Sequence, residues 1–573
     1  MESRYDVYLE GDDQGRWMAH LLDLPGCFVR ADSREAALAA LPAAIGDYHD
    51  WLRRHGEDVD DPAGSITLNV AEIGGRVGPF DPGDKAALFG PERRPLSREE
   101  MEYTLQLAGY NRADLLALVR PLSDEIRQWR AHPDAMSINR ALRHIGNAEQ
   151  WYVSRLVAPE TLPPQWADDE HMPLFDFLEM TQRTVAERLR QLSDEELGQV
   201  VVPQHFAVQP NEPWTARKVL RRLLEHGREH TDHIGEILAA WRRHLLARLA
   251  AERVTFLRAY VSLNEETLTT IPVVEQWTAK DLLAYVGVWD TFQVERMSLV
   301  LAGRTDEVEQ VGGEAGMAAR NAELYERYRD VPLEQALAIG LKERSGFLAM
   351  LARIPDVELH RELEFPWGWR TPMALWAELR HRHDAEHAGH LSQWRETLPQ
   401  DSRRRVGPRY LLRAYLKAAR QEFLTAAALV PEAERDSRPV CGVWTLKDLV
   451  GHLTDWEKVG VDGLQQLVAG VTPEFDEPIP DFDSFNARNA AVHRHQPWEQ
   501  VWADFEATRR TLLDLFDQLT DDQLQCTFVA PWGRPLNGYV WMLVWPGHEQ
   551  EHAIDLRGSL QLPGWPERLV SHG

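Results

Sequence analysis

Cysteine is nearly absent: the 573 residues contain three, Cys27, Cys441 and Cys526, far apart and without a CxxC spacing. That excludes a disulfide scaffold and a thiolate zinc site. No run of 18 or more apolar residues occurs, which excludes a transmembrane helix. The first residues, MESRYDVYLEGDD, lack the basic and apolar regions of a signal peptide, so the expected compartment is the cytoplasm. Basic residues are outnumbered, 63 Lys+Arg against 90 Asp+Glu, for a formal net charge of −27. Phosphate backbones and anionic membrane surfaces require clustered cations, so neither nucleic acid nor membrane is an expected partner. What the chain has in quantity is tryptophan, 21 residues, suited to deep cores or ligand pockets. With 44% hydrophobic and 27% charged residues the composition is globular, and at about 100–200 residues per domain it predicts three to five domains.

The first ninety residues differ from the rest. Tyr5, Val7 and Leu9 alternate with polar residues, as do Trp17, Ala19 and Leu21, which is strand periodicity. Leu24-Pro25-Gly26 interrupts, and Cys27-Phe28-Val29 resumes a short strand. Asp32-Ser33 offers an N-cap for a helix from Ala36 to Trp51, and 65–73 reads as another strand. The expected order is strand, strand, helix, strand. These residues (Tyr5–Glu10, Trp17–Cys27, Ser33–Leu41) resemble the HicB-like antitoxin fold. The resemblance implies a unit that pairs with itself or with a small toxin, so self-association through this domain is an expectation. Many members add a DNA-binding segment, but here a Pro/Gly-rich linker follows. A dimerisation or ligand-sensing appendage is the alternative.

The remainder repeats. HGREH (His226–His230), HDAEH (His383–His387) and HEQEH (His548–His552) recur at intervals of 157 (383 − 226) and 165 (548 − 383) residues. Each follows a Trp-bearing turn: Pro213-Trp214, Pro366-Trp367-Gly368 and Pro531-Trp532-Gly533. Upstream, Trp277–Leu282 (WTAKDL) matches Trp444–Leu449 (WTLKDL), and Ala319–Ala322 matches Ala487–Ala490. Units of about 150–165 residues have the size of domains rather than of solenoid repeats. In the third unit, helical periodicity predicts helices at about 410–429, 445–467, 498–519 and 538–557, which make a four-helix bundle. The expected class is mainly α: an α+β domain (1–80), a linker (81–97) and three tandem four-helix bundles (98–245, 246–400 and 401–573).

In each repeat two histidines stand at i and i+4 and project from one helix face. In the first unit that face is a buried stripe: Val219, Leu223, His226, His230, Ile234, Ile237. An upstream helix carries a third histidine, His144 in unit one and His452 in unit three. Two ligands from one helix and one from another make a three-nitrogen metal site with open positions. The alternative, a hydrogen-bonded core histidine, explains one residue better than a repeated pair. In unit two the third position is Tyr285, a poor ligand for most divalent metals near neutral pH, so His383 and His387 are expected to form a degenerate site. Glu229, Glu386 and Glu551 precede the second histidine and spell HxxEH, as in inverted zinc proteases. Three protease cores in one chain are implausible, and the upstream histidine already supplies the third ligand. Glu229 and Glu551 are the acid–base candidates and Tyr285 a third catalytic candidate. A surface role is the alternative for the glutamates, because adjacent side chains on a helix diverge by about 100°. His233, His390 and Asp555, three residues past the second histidine, can orient a ligand or make bundle contacts.

These motifs resemble the DinB/YfiT-like superfamily of four-helix bundles, over about residues 98–560. Units two and three further resemble its ClbS/DfsB branch, through Trp277–Asp290, Trp444–Trp456, Asp483–Asn489 and His548–His552. The resemblance implies a divalent metal and small-molecule chemistry: thiol S-transferases and isomerases that use low-molecular-weight thiols, and a self-resistance protein that opens a reactive cyclopropane. A three-histidine site can lower the pKa of bound water toward about 7, or activate a coordinated thiol. Imidazole ligation suits Zn, Ni, Fe or Cu without selecting among them. The protein is expected to supply no cysteine near the histidines, so a thiol nucleophile is expected to arrive as cosubstrate. Sequestration of an apolar metabolite, with vestigial metal sites, is the competing function.

Overall fold

The computed structural model describes residues 3–13, 15–59, 65–74, 86–203, 212–310 and 313–560. The start of the expected linker (81–85) and the end of the third segment (561–573) lie outside the described residues. The chain divides into two compact units, residues 1–129 with 136–237, and residues 130–135 with 238–573. Among the described residues no helix is long and apolar enough to cross a membrane.

The first unit opens with β1 (Ser3–Gly11), β2 (Trp17–Leu21), β3 (Cys27–Ala31), α1 (Arg34–Arg54) and β4 (Ile66–Ile73). The order is therefore strand, strand, strand, helix, strand, a correction to the expected count. Gly26, at φ 84°, lets the chain reverse after Pro25, so 27–31 becomes its own strand, antiparallel to β2. The sheet order is β3-β2-β1-β4, with β4 parallel to β1. Ser33 caps α1, its hydroxyl accepting from Ala36 N at 3.1 Å. Alternation gives the sheet two buried faces. Val7, Leu9, Ala19 and Leu21 pack on Leu41, Ile45 and Tyr48 of α1. The opposite face carries Tyr8, Glu10 and His20 and meets Ala87, Phe89 and a charged helix described next.

Four long helices follow: α2 (Arg98–Val119), α3 (Ile138–Ser154), α4 (Leu174–Arg190) and α5 (Ala216–Arg258). They share a core of Met101, Tyr152, Val153, Val185, Leu189, Val219 and Leu223. Ser97 and Glu100 form a capping box at the start of α2. The sheet's polar face docks on α5 through buried charges. His20 Nδ1 is 2.7 Å from Glu225 Oε1 and its Nε2 is 2.9 Å from Glu10 Oε1. Arg221 reaches Glu92 at 2.8 Å and Glu225 at 3.1 Å.

In the second unit the later part of α5 is followed by α6 (Ala279–Leu301), α7 (Leu333–Arg353) and α8 (Met373–Thr397), then α9 (Arg409–Ala427), α10 (Leu446–Val468), α11 (Trp498–Gln518) and α12 (Gly538–Ser559). The four helices read from the third unit's periodicity appear within two or three residues of their expected ends. The WTxKDL repeat is a hairpin and cap: Trp277-Thr278 and Trp444-Thr445 pair with 272–274 and 439–441. Thr278 with Asp281, and Thr445 with Asp448, form capping boxes on α6 and α10. Helices α6 and α7 pack closely enough that a Cβ on Gly287 would lie 2.7 Å from Gly340 Cα. Helix α9 serves two cores, Leu411 and Ala414 with the α6–α8 set and Leu412, Tyr415 and Leu416 with the α10–α12 set.

Burial alone would lower the His20 pKa, but the Glu225 charge and the hydrogen bonds to Glu10 and Glu225 raise it from 6.5 to about 9. Its stabilisation is therefore complete below about pH 6.5 and is lost as pH rises through about 9. In denaturant titrations between pH 7 and 10, His20→Gln is expected to flatten the alkaline loss of stability relative to wild type. An unchanged slope would show that His20 is not held as a cation.

Candidate metal centres

His144 projects from α3, and His226 and His230 from the inward stripe of α5. The structure brings all three together. His226 Nε2 is 3.1 Å from His144 Nε2 and 3.2 Å from His230 Nε2. Burial first, then neighbouring imidazoles and Arg222, pushes His226 well below 6.5, and burial with the charges of His144 and His233 brings His230 to about 3. His144 is lowered by burial too. Tyr152 stands edge-on to His226 at 5.7 Å.

The third segment repeats this with α10 and α12. His548 Nε2 is 2.9 Å from His452 Nε2 and 3.0 Å from His552 Nε2. Burial and the His552 ring push His452 down to about 3. His548 is held well below 6.5 by burial and by the other two histidines. The hairpin tryptophan Trp444 lies 4.6 Å from the His452 ring. The Asp555 carboxylate accepts from His552 Nδ1 at 3.2 Å, which fixes that ring with Nε2 facing the cluster.

Both clusters fit a divalent transition metal. A tetrahedral ion with nitrogen ligands at 2.0–2.1 Å separates them by about 3.3 Å, close to the distances found. Neutral imidazoles offer the required lone pairs. His226 Nδ1 and His230 Nδ1 are buried and lack hydrogen-bond partners, so Nε2 is the atom each ring turns to its neighbours.

The middle segment differs in more than Tyr285. The tyrosine ring occupies the third position, 5.2 Å from His383 and 5.3 Å from His387, and its hydroxyl donates to Asn321 Oδ1 at 3.2 Å. Arg380 Nη2 lies 3.1 Å from His383 Nδ1. A guanidinium only donates, so Nδ1 accepts and the neutral ring carries its proton on Nε2. That nitrogen faces His387 Nε2 at 3.2 Å and donates to it. A protonated Nε2 has no lone pair for an ion. The positions matching Arg380 are Leu223 and Trp545, so the other two clusters escape this lock. The histidine pair lines a cavity of about 1100 Å³, together with Trp277, Tyr285, Trp289 and Trp376. Trp369, also lining it, is 68% exposed.

The glutamate candidates separate. Glu229 is half-buried; burial raises its pKa, opposed by Arg222, whose guanidinium is 3.6 Å away. Glu551 is exposed. It does not share the inward direction of the adjacent His552, because one residue turns the helix by about 100°.

Two features escaped the sequence reading. The first is a buried Arg–carboxylate pair repeated in every bundle with its partners 37 residues apart: Arg112–Glu149, Arg253–Asp290 and Arg420–Glu457. The carboxylate always stands five residues after His144, Tyr285 or His452. The constant spacing is in the sequence and would have revealed it. Arg344 and Asp384 extend the second pair, and Arg509 and Glu549 the third. The second is Cys441. Its thiol donates to Asp555 Oδ2 at 3.4 Å, which corrects the expectation that no cysteine is near a site. The contact joins residues 114 apart, beyond the reach of any spacing rule.

Removing one histidine from each cluster, as in His226→Ala/His548→Ala, is expected to lower the metal content by about two ions per chain relative to wild type, measured by elemental analysis. The metal-free protein is expected to lose stability as pH falls below about 6.5. There the unfolded chain protonates these imidazoles, while His230 and His452 stay neutral down to about 3. A denaturation midpoint unchanged between pH 7 and 4 would contradict the buried neutral state.

Comparison with known proteins agrees with this geometry. The DinB superfamily matches residues 109–234 and 415–555, the stretches that hold the two three-histidine clusters. At the N-terminus, 68 residues are 31% identical to the UPF0150 protein Ta0767 of Thermoplasma acidophilum, covering 12% of this chain and 99% of that protein. No solved structure matches significantly. Residues 109–234 and 415–555 thus each match the DinB superfamily, and the N-terminal segment is similar to a UPF0150 protein.

Proposed function

We propose that the two three-histidine clusters hold divalent transition metals. On this reading the chain is a DinB-type enzyme that acts on reactive small molecules, by thiol S-transfer or hydrolysis, in detoxification or self-resistance. The supporting observation is the convergence of three histidine Nε2 atoms in each of two bundles. When bound, such an ion supplies a Lewis acid with an open coordination position. Zn, Ni and Fe all suit imidazole donors.

The chain's own residues supply the rest. Asp555 holds the His552 ring in one tautomer. Trp456, 6.4 Å from the His548 ring, and Trp532, 6.0 Å from Trp456, give the α10–α12 site an aromatic wall. Glu229, whose pKa burial raises, is the group in the first bundle suited to carry a proton. Cys441 does not serve as the attacking thiolate: burial and the Asp555 charge push its pKa up to about 11. A low-molecular-weight thiol therefore enters as cosubstrate. In the middle bundle the Arg380 lock leaves His383 and His387 as polar residues of a ligand pocket. The aromatic cavity there favours a second reading, in which this bundle captures an apolar ligand without metal. The N-terminal unit, which the UPF0150 likeness supports as HicB-like, uses both sheet faces within the chain. A second copy or a small partner would pair with the edges β3 or β4.

The test is a thiol-consumption assay with an electrophilic haloacetamide probe and a small thiol. Chelation, or His226→Ala/His548→Ala, is expected to reduce the rate at least 100-fold with folding retained. Turnover that survives both would reject the metal reading. Stoichiometric quenching of tryptophan fluorescence by an apolar probe, insensitive to chelator, would establish the pocket reading instead.

A further inference from the structure

We propose that Cys441, Asp555 and the Nδ1 edge of His552 form a second metal-binding set beside the three-histidine cluster of the last bundle, for a soft or borderline divalent ion. That bundle then carries two ions joined through the His552 ring. The proposal rests on the metal reading of the histidine cluster.

The ligand atoms of these three residues lie within 4.8 Å of one another. Strand 439–441 brings Cys441 to α12, and Gly442, at φ 57°, turns the chain back toward Trp444. The thiol and the His552 Nδ1 both address the same carboxylate oxygen, at 3.4 and 3.2 Å. The other nitrogen of that ring faces His548 at 3.0 Å. One imidazole thus presents its two nitrogens to two separate donor groups.

The donor chemistry is specific to this bundle. The middle bundle has Val274 where Cys441 stands and His390 where Asp555 stands, and the first bundle has His233 at the latter position. Among the described residues, only the last bundle combines sulfur, nitrogen and oxygen donors, a set that suits Zn²⁺-like ions. Asp555 is exposed and Cys441 half-buried, so an ion can enter from solvent and keep an open position. Thiolate and bridging imidazolate both form by proton loss, so uptake releases two protons to solvent, one from Cys441 and one from His552 Nδ1.

The experiment titrates the full-length chain with Co²⁺, which gives a near-ultraviolet charge-transfer band when bound by thiolate. Wild type is expected to bind three ions and show the band. Cys441→Ser should keep two ions and lose the band. Asp555→Asn, which leaves an oxygen acceptor for His552 Nδ1, should also lose the third ion. Co²⁺ uptake limited to two ions without a thiolate band overturns the second set and leaves the histidine clusters standing. Loss of the band with the ion count unchanged places Cys441 on the three-histidine ion and also overturns it. No uptake at all rejects both this proposal and the metal reading beneath it.

Discussion

In every bundle an arginine of the first helix is bound to a buried carboxylate of the second, 37 residues further along the chain. Breaking a buried pair by removing one partner costs about 3–5 kcal/mol, because the other charge is left in low dielectric. The pair therefore fixes how the first two helices meet. Since the carboxylate sits five residues from His144, Tyr285 or His452, it also fixes where the third site residue points. Two histidines from the last helix can converge on it only if this crossing is held. In the second unit the pair grows into networks, Arg344 and Asp384 in one bundle and Arg509 and Glu549 in the next, which tie the third and last helices to the same point.

On this common frame, single substitutions produce three different sites. The first bundle presents three neutral imidazoles. The middle one exchanges an imidazole for Tyr285 and adds Arg380, whose N–H dictates the His383 tautomer. Its interior becomes an aromatic cavity. The last keeps the three imidazoles and adds a carboxylate and a thiol at the back of one ring. The N-terminal sheet uses the same physics: His20 is held as a cation between Glu10 and Glu225, so a polar sheet face is buried without an orphaned charge.

The sequence made much of this legible because helices and repeats are local patterns. Of the inward stripe, Val219, Leu223, His226, Ile234 and Ile237 are buried as the spacing predicts, and His230 is half-buried. The WTxKDL repeat marks helix starts because a Thr cap and an Asp three residues on are local partners. The strand count failed after Pro25-Gly26, because the short stretch that resumes at Cys27 pairs antiparallel with β2 as a strand of its own. The glutamates of HxxEH share a motif with the histidines, but helix geometry turns Glu551 out to solvent while His552 stays inside.

Fold class, repeat length, helix positions and the histidines that share a face were determined by the sequence itself, since each follows from side chains three or four residues apart. Tertiary structure alone decided which nitrogen of each histidine is free, which charges Arg112, Arg253 and Arg420 neutralise, and that Cys441 meets Asp555. Those depend on contacts between helices and hairpins far apart in the chain. There, a few tenths of an ångström and a single donor such as Arg380 decide whether a histidine pair offers lone pairs or a hydrogen bond.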